Sequence, residues 1–369
     1  MGSASRTTVI LASGAALAVA GGLTVFAVTS GHHAAPTSVT RMTTARPPLR
    51  VTSVTPADGT RHVNGTDRVT VTFNQPLPAS APFPRLSPAV PGKWARAGDT
   101  ATFTPATGFS PGSHVRVTVP STGARTRSGY SSGFTTARYS TLRLQELLAQ
   151  LGYLPMTWSA YLGGTVTPGS LAAQAAAAYN PPSGSFRWQG GYPRQLRGMW
   201  RQGAPNMLDT GAIAAFQESR GMRPNGVASP AVWAALLKAA ADGRRNTHGY
   251  SYAIASESTP ESLTIWHDGR QVLSTPANTG MSAAPTATGT YFVFEKLPFQ
   301  VMQGTNPDGS HYSDPVQWVS YFNGGDAVHY FPRSSFGWPQ SLGCVELPYG
   351  AAERSYRYLP YGTLVSVDP

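Results

Sequence analysis

The chain has 369 residues, enough for two or three domains at about 100–200 residues each, and its 41% hydrophobic and 10% aromatic content excludes a disordered protein. Only 12% of residues are charged, and 39 Gly with 32 Pro favour strands, turns and linkers over long helices, so a mainly β, multidomain protein is expected. The formal charge of +11 favours a polyanionic neighbourhood, but the arginines are scattered and no helix-turn-helix, zinc-finger or ribonucleoprotein signature occurs, so an anionic cell wall or membrane surface is expected and nucleic acid is not.

Residues 7–30 hold no charged side chain and follow Arg6, so residues 1–30 read as an export signal. The stretch exceeds the usual signal core and is long enough to remain as an anchor across a bilayer, which needs about 20 apolar residues; the small Ala27 and Thr29 permit cleavage. Residues 31–48, without apolar periodicity, read as a linker outside the cytoplasm, in the wall or on the outer face of the plasma membrane. Over 49–136, short alternating runs ending near Phe73, Thr104 and Val119 and punctuated by turns predict a β-sandwich. Thr-Pro-Ala-Asp-Gly at 55–59, followed by Val-Thr-Val-Thr-Phe-Asn-Gln-Pro-Leu at 69–77, resembles the bacterial Ig-like domains that serve as spacers on surface proteins.

Leu142, Leu144, Leu147, Leu148 and Leu151 fall at helical spacing, with Gly152 at the C-cap position. A second helix is expected over 209–217, capped by Asp209 or Thr210, and a third from Ser229-Pro230 after a turn at Asn225-Gly226. This three-helix outline over 139–240 resembles the peptidoglycan-binding repeat of wall enzymes, interrupted by an insertion at 156–205. The insertion carries Trp188, Tyr192 and Trp200, either as core aromatics or as sugar platforms. From 249 to 369, strand runs beginning at Ser251, Ser262, Gln271, Thr290, Gln317 and Thr363 predict a curved sheet of hairpins, with a short helix around 349–359 and the reactive residue on a loop.

That residue is the only cysteine, Cys344. An exported chain with one cysteine cannot close an internal disulfide, which leaves an inert thiol, half of an intermolecular bridge, or a nucleophile. A free thiol with pKa about 8.5 is mostly protonated at neutral pH and needs a base. His329, fifteen positions upstream, is the candidate, and a positioned base contributes about 10²–10⁴ in rate. Gly343 permits close backbone approach, and the amides of Gly343 and Cys344 are candidate oxyanion donors, each worth roughly 10²–10³. The eight histidines show no His-x-x-x-His or His-x-x-Glu-His spacing, so no metal is expected, and no other cofactor is. Papain-like peptidases place the cysteine before the histidine, the reverse of the order here.

The order His329, then Ser-x-Gly-Cys-Val-x-Leu at 341–347, with Pro-Thr-Ala-Thr-Gly-Thr-Tyr at 285–291, resembles the L,D-transpeptidase (YkuD-type) catalytic domain. The resemblance implies that Cys344 attacks a tetrapeptide stem at the carbonyl of its third residue and expels D-Ala. The thioester then passes to the side-chain amine of a second stem to give a 3→3 cross-link, or to water in an L,D-carboxypeptidase, and carbapenems acylate the same thiol. Peptidoglycan stem peptides and glycan are the implied partners. Catalytic roles fall to Cys344, His329, Gly343 and Ser341, with the Tyr330 carbonyl orienting the base and Ser341 holding the nucleophile loop; substrate contacts are expected from Tyr321, Tyr330, Trp338, Leu342 and Glu346. The sequence departs from the family where Leu342 replaces a histidine and Glu346 an arginine. A non-catalytic wall-binding protein is the alternative reading.

Overall fold

The computed structural model describes residues 48–120, 129–162, 166–167 and 169–369. The expected export segment at 1–30 and the linker up to residue 47 lie outside the described residues. Among the described residues no helix is long and apolar enough to cross a membrane.

The first module is a two-sheet sandwich built from β1 (Val51–Thr55), β2 (Val69–Phe73), β3 (Arg85–Ser87), β4 (Gly92–Ala97), β5 (Thr100–Pro105), β6 (His114–Val119) and β7 (Tyr130–Thr135). One sheet has the order β1-β2-β5-β4 and the other β3-β6-β7. The alternation in β2 buries Val69, Val71 and Phe73 against Val115, Val117 and Phe134 of the facing sheet. β3 and β4 escape a reading based on alternation because they are edge strands whose Arg, Lys and Ser side chains face solvent.

The second module contains α1 (Thr141–Gln150), β8 (Met156–Ala160), α2 (Leu171–Tyr179), β9 (Gly184–Trp188), α3 (Arg194–Gly198), α4 (Met207–Glu218) and α5 (Pro230–Asp242). The three expected helices are α1, α4 and α5. The cap of α4 is Asn206 rather than Asp209 or Thr210: the Asn206 side chain accepts from the amides of Leu208 and Asp209, and Asp209 closes the capping box as its third helical residue. The insertion is folded into the module. Its antiparallel β8–β9 pair, the intervening α2, and α3 with the residues leading into it contribute Met156, Ala178, Tyr192 and Leu196 to the core, and Trp188 and Trp200 pack half-buried against it. Tyr192 is buried and donates to the Tyr250 carbonyl (2.9 Å), so all three aromatics serve packing. Tyr250, Tyr252 and Leu364 of the last module belong to the same apolar cluster, which seats the helices directly on one sheet of that module.

The last module comprises β10 (Ser251–Ser256), β11 (Ser262–His267), β12 (Arg270–Pro276), β13 (Gly289–Phe292), β14 (Glu295–Thr305), β15 (His311–Asn323), β16 (Asp326–Tyr330), β17 (Val345–Leu347), α6 (Tyr349–Tyr358) and β18 (Leu364–Asp368). They form two sheets, not the single curved sheet expected: β12-β11-β10-β18-β13 and β14-β15-β16-β17. Between them lie Ala253, Leu263, Ile265, Val328, Val345, Leu347 and Val365, with Ala352 and Leu359 from α6 and its exit. Of the long β14–β15 hairpin, pattern reading finds only the stretch of β15 from Gln317; Pro298, Gly304 and Pro315 interrupt the rest, and such residues argue against regular strands.

Candidate active site

Strand pairing explains how residues distant in sequence meet. β16 and β17 run parallel with Val328 opposite Val345 and His329 opposite Glu346. Cys344, one residue before β17, therefore lies diagonally across from His329, at roughly 8 Å between Cα atoms for strands about 4.8 Å apart rising about 3.3 Å per residue. Val328 and Val345 point into the core, so the neighbouring His329 and Cys344 face the other side. There they line one cleft of about 550 Å³, together with Tyr321, Leu342 and Glu346.

His329 is almost wholly buried, and its Nδ1 donates to the Tyr330 carbonyl at 2.9 Å, which turns Nε2 into the acceptor. Burial lowers its pKa below the ordinary imidazole value, while the Tyr330 carbonyl and Glu346 act in the opposite direction, so the ring is neutral at pH 7. The Cys344 thiol is pushed up to about 12, first by burial and then by the carboxylates of Asp326 and Glu346, with the Ala327 backbone opposing. Its sulfur lies 3.7 Å from the Gly325 carbonyl. The resting cleft thus holds a protonated thiol and a neutral imidazole.

The loop that carries Cys344 is braced from behind. Ser341 Oγ donates to the Cys344 carbonyl (2.5 Å) and accepts from the Gly343 amide (3.2 Å). The Ser341 amide donates to the Thr279 carbonyl, while the amide and hydroxyl of Thr279 donate to buried Glu261 (2.6 and 2.8 Å). Ser341 is accordingly buried support outside the cleft lining. The expectation that the Gly343 amide serves an oxyanion needs correction, since that donor is already used by Ser341; among the described residues the Cys344 amide has no acceptor in the chain and is the remaining candidate. Gly343 is required for a different reason. Its φ is 109°, and a Cβ there would stand 2.7 Å from Asp326 Oδ1. Gly343→Ala is expected to swing the loop and reduce Cys344 acylation by on the order of 10²-fold, the scale of a displacement near 1 Å; stopped-flow acylation by a carbapenem checks it.

Two of the expected substrate contacts fall elsewhere. The Tyr330 ring, one residue out of phase with His329, packs on Tyr349 (5.1 Å between centroids), so only its carbonyl serves the site. Trp338 is 52% exposed outside the cleft, with its amide directed to Asn278 Oδ1 (3.3 Å). Tyr321 stays in the cleft and donates to Gln300 Oε1 (2.7 Å).

The sequence reading missed Arg333. Its Nε and Nη2 grip the buried Glu346 carboxylate at 2.7 and 2.8 Å, Nη2 also reaches the Gln340 carbonyl (3.2 Å), and the guanidinium lies 4.7 Å from the Phe331 ring centre. Arg333 also lines the cleft, so a cation is present although the motif position carries Glu346. A signal existed: Arg333 is the only Lys or Arg between Lys296 and Arg354, and a glutamate placed next to a buried strand needs a partner. Asp314 and Asp326, also unforeseen, complete the charged lining. Among the described residues no group of three or more His, Cys, Asp or Glu is arranged to hold a metal ion.

Residues 251–367 match the family model of the L,D-transpeptidase catalytic domain. The last module is an L,D-transpeptidase catalytic domain. Residues 45–141 match the bacterial Ig-like domain, and they contain the two-sheet sandwich. Similar solved structures include an L,D-transpeptidase from Mycobacterium smegmatis, 16% identical over 87% of this chain and 100% of that one, with a TM-score of 0.31. L,D-transpeptidase 3 from Mycobacterium tuberculosis, solved with a faropenem-derived adduct, is 18% identical over 86% and 98% of the two chains, at TM-score 0.31. The catalytic domain of the E. faecium L,D-transpeptidase is 23% identical over 33% and 99%, at TM-score 0.30. These scores are low, and the assignment rests on the family models. No curated protein matches the chain. In the L,D-transpeptidase domain the pairs His329–Tyr330 carbonyl and Arg333–Glu346 flank the cysteine, and with Leu342 at the motif position His329 is, among the described residues, the only imidazole lining the cleft.

Proposed function

We propose that the protein is a peptidoglycan L,D-transpeptidase that forms 3→3 cross-links through a Cys344 thioester. The observation that carries this reading is the placement of Cys344 and His329 in one cleft on adjoining strands, with Nδ1 of the histidine tied to a carbonyl and Nε2 left to take the thiol proton. Cys344 Sγ attacks the carbonyl of the third stem residue as His329 takes its proton. Collapse of the tetrahedral intermediate breaks the bond to D-Ala, whose amine leaves with that proton. In the second half the acceptor amine attacks the thioester, gives a proton to His329, and restores the thiol. The Cys344 amide is the backbone donor for both oxyanions. With no second imidazole in the cleft among the described residues, His329 serves as base and acid in both halves.

Asp314 and Asp326, against an arginine already paired with Glu346, favour an acceptor that arrives as an ammonium group and loses one proton to a carboxylate or to solvent before its free amine attacks, which supports cross-linking over hydrolysis. The Ig-like module is assigned as a wall-side spacer, the helical module as a glycan-facing scaffold, and the net charge of +11 suits residence in an anionic cell envelope. Incubation with disaccharide-tetrapeptide, followed by mass spectrometry of protein and products, tests the reading. The expected result is an acyl adduct on Cys344, free D-Ala and a cross-linked dimer. Tripeptide without dimer would make the enzyme a carboxypeptidase, and no adduct from either the stem or a carbapenem would leave a wall-binding protein.

A further inference from the structure

The β14–β15 hairpin breaks the two-residue period of a strand once. Close to the domain, odd-numbered residues face the cluster around Cys344, namely Leu297 of β14 and Val319 and Tyr321 of β15. Farther out, the inward-facing residues are even-numbered, Met302 of β14 and Asp314 and Val316 of β15, with the exposed Gln303 reaching the cleft at its rim. A regular ribbon keeps one parity per face along its whole length, and on that rule the outer set would point away from the nucleophile. Register between the two strands is unbroken from Leu297↔Val319 to Gln300↔Val316, so both strands turn over together, in the interval holding Pro298 and Trp318. The Tyr321–Gln300 hydrogen bond spans this interval and confirms that both parities share one face.

Trp318 is where the backbone departs. Its φ is 61°, a left-handed conformation that is uncommon for a bulky side chain. On the other flank of β15, the register with β16 slips by one between Gln317↔Tyr330 and Ser320↔Val328, so Trp318 and Val319 together oppose His329 in a bulge. The indole points to the opposite side, against Tyr349 and Tyr356 of α6 at 6.5 and 5.7 Å, and its Nε1 is buried without a partner. No hydrogen bond calls for tryptophan here, whereas an unfavourable backbone conformation persists only when its surroundings enforce it.

We propose that Trp318 is a positioning residue whose left-handed backbone turns the outer arm of the hairpin over, so that Asp314, Val316 and Met302 wall the substrate cleft on the side of His329 and Cys344. The assignment of that cleft to a stem peptide rests on the transpeptidase reading above. The ring packs edge-on and tilted against Tyr349 and Tyr356 of α6, and Pro298 opposite has no N–H to offer the ladder at that point.

The test compares Trp318→Gly, Trp318→Asn and Trp318→Val in the full-length protein, reading kcat and KM for stem-peptide acylation and, without substrate, amide hydrogen exchange in β14 and β15. Gly and Asn accept positive φ, and a β-branched residue resists it. A backbone role therefore ranks Gly and Asn above Val, while a packing role reverses the order because Val retains more apolar surface. The expected result is a rise in donor KM of about tenfold or more for Val, with Gly and Asn near the parent, and faster exchange of the outer arm in Val alone. Equal losses, or Val performing best, would overturn the proposal. Should the parent itself show no acylation, the transpeptidase reading fails instead, and the exchange ranking still decides the role of Trp318.

Discussion

Cys344→Ala is expected to abolish acylation by stem peptides and carbapenems alike, and His329→Ala to lower it by about 10²–10⁴-fold while the thiol remains present. The two variants separate nucleophile from base when intact mass is followed against time. The pH profile is diagnostic as well. The neutral form of His329 is the active one, and burial holds its pKa below the ordinary value, so activity persists as the pH falls through 6.5 and is lost only on further acidification. The thiol, pushed up to about 12, yields no appreciable thiolate between pH 7 and 9, so the rate there stays flat rather than rising as it would for an unassisted thiol of pKa about 8.5. A tenfold rise across that interval would contradict proton transfer at the moment of attack.

Arg333→Ala is expected to cost about 3–5 kcal/mol of stability, because it strands the buried Glu346 carboxylate without its partner. Removing both charges, as in Arg333→Met with Glu346→Met, should recover most of that loss, since a buried ion pair replaced by apolar groups is often neutral. Calorimetric unfolding of the two variants against the parent measures the difference. The pair also sets the charge around the base. Arg333 lowers the His329 pKa and Glu346 raises it, so the single arginine variant should move the acid limb of the acylation profile to higher pH. An unmoved limb with a full stability loss would confine the pair to a structural role.

Much of the fold was legible because local rules and tertiary context agree. The alternation in β2 and β6, the leucine spacing of α1 and the Ser-Pro start of α5 each have one physical solution, and each element forms where its pattern predicts. What stayed hidden depends on neighbours. The edge strands β3 and β4 have no second apolar face to pattern, and the β14–β15 hairpin contains two prolines and a reversal of parity that no single period describes. In the site, Cys344 and His329 were visible from residue type alone. The partner of Glu346 was not, because a loop arginine thirteen positions away becomes its partner only once β16 and β17 are side by side. The Gly343 amide was misjudged for a similar reason: glycine signals conformational freedom, whereas the use of its N–H depends on where Ser341 turns.

β18 occupies an interior place in its sheet, parallel to β10 and antiparallel to β13, and among the described residues no other strand pairs with both. Leu364, Val365 and Val367 also fill the core beneath the cleft and under the helical module. The two parts of that sheet therefore meet through β18 alone, so a substitution that loosens Val365 or Val367 is transmitted at once to β10 on one side, to β13 on the other and to the core beneath the cleft.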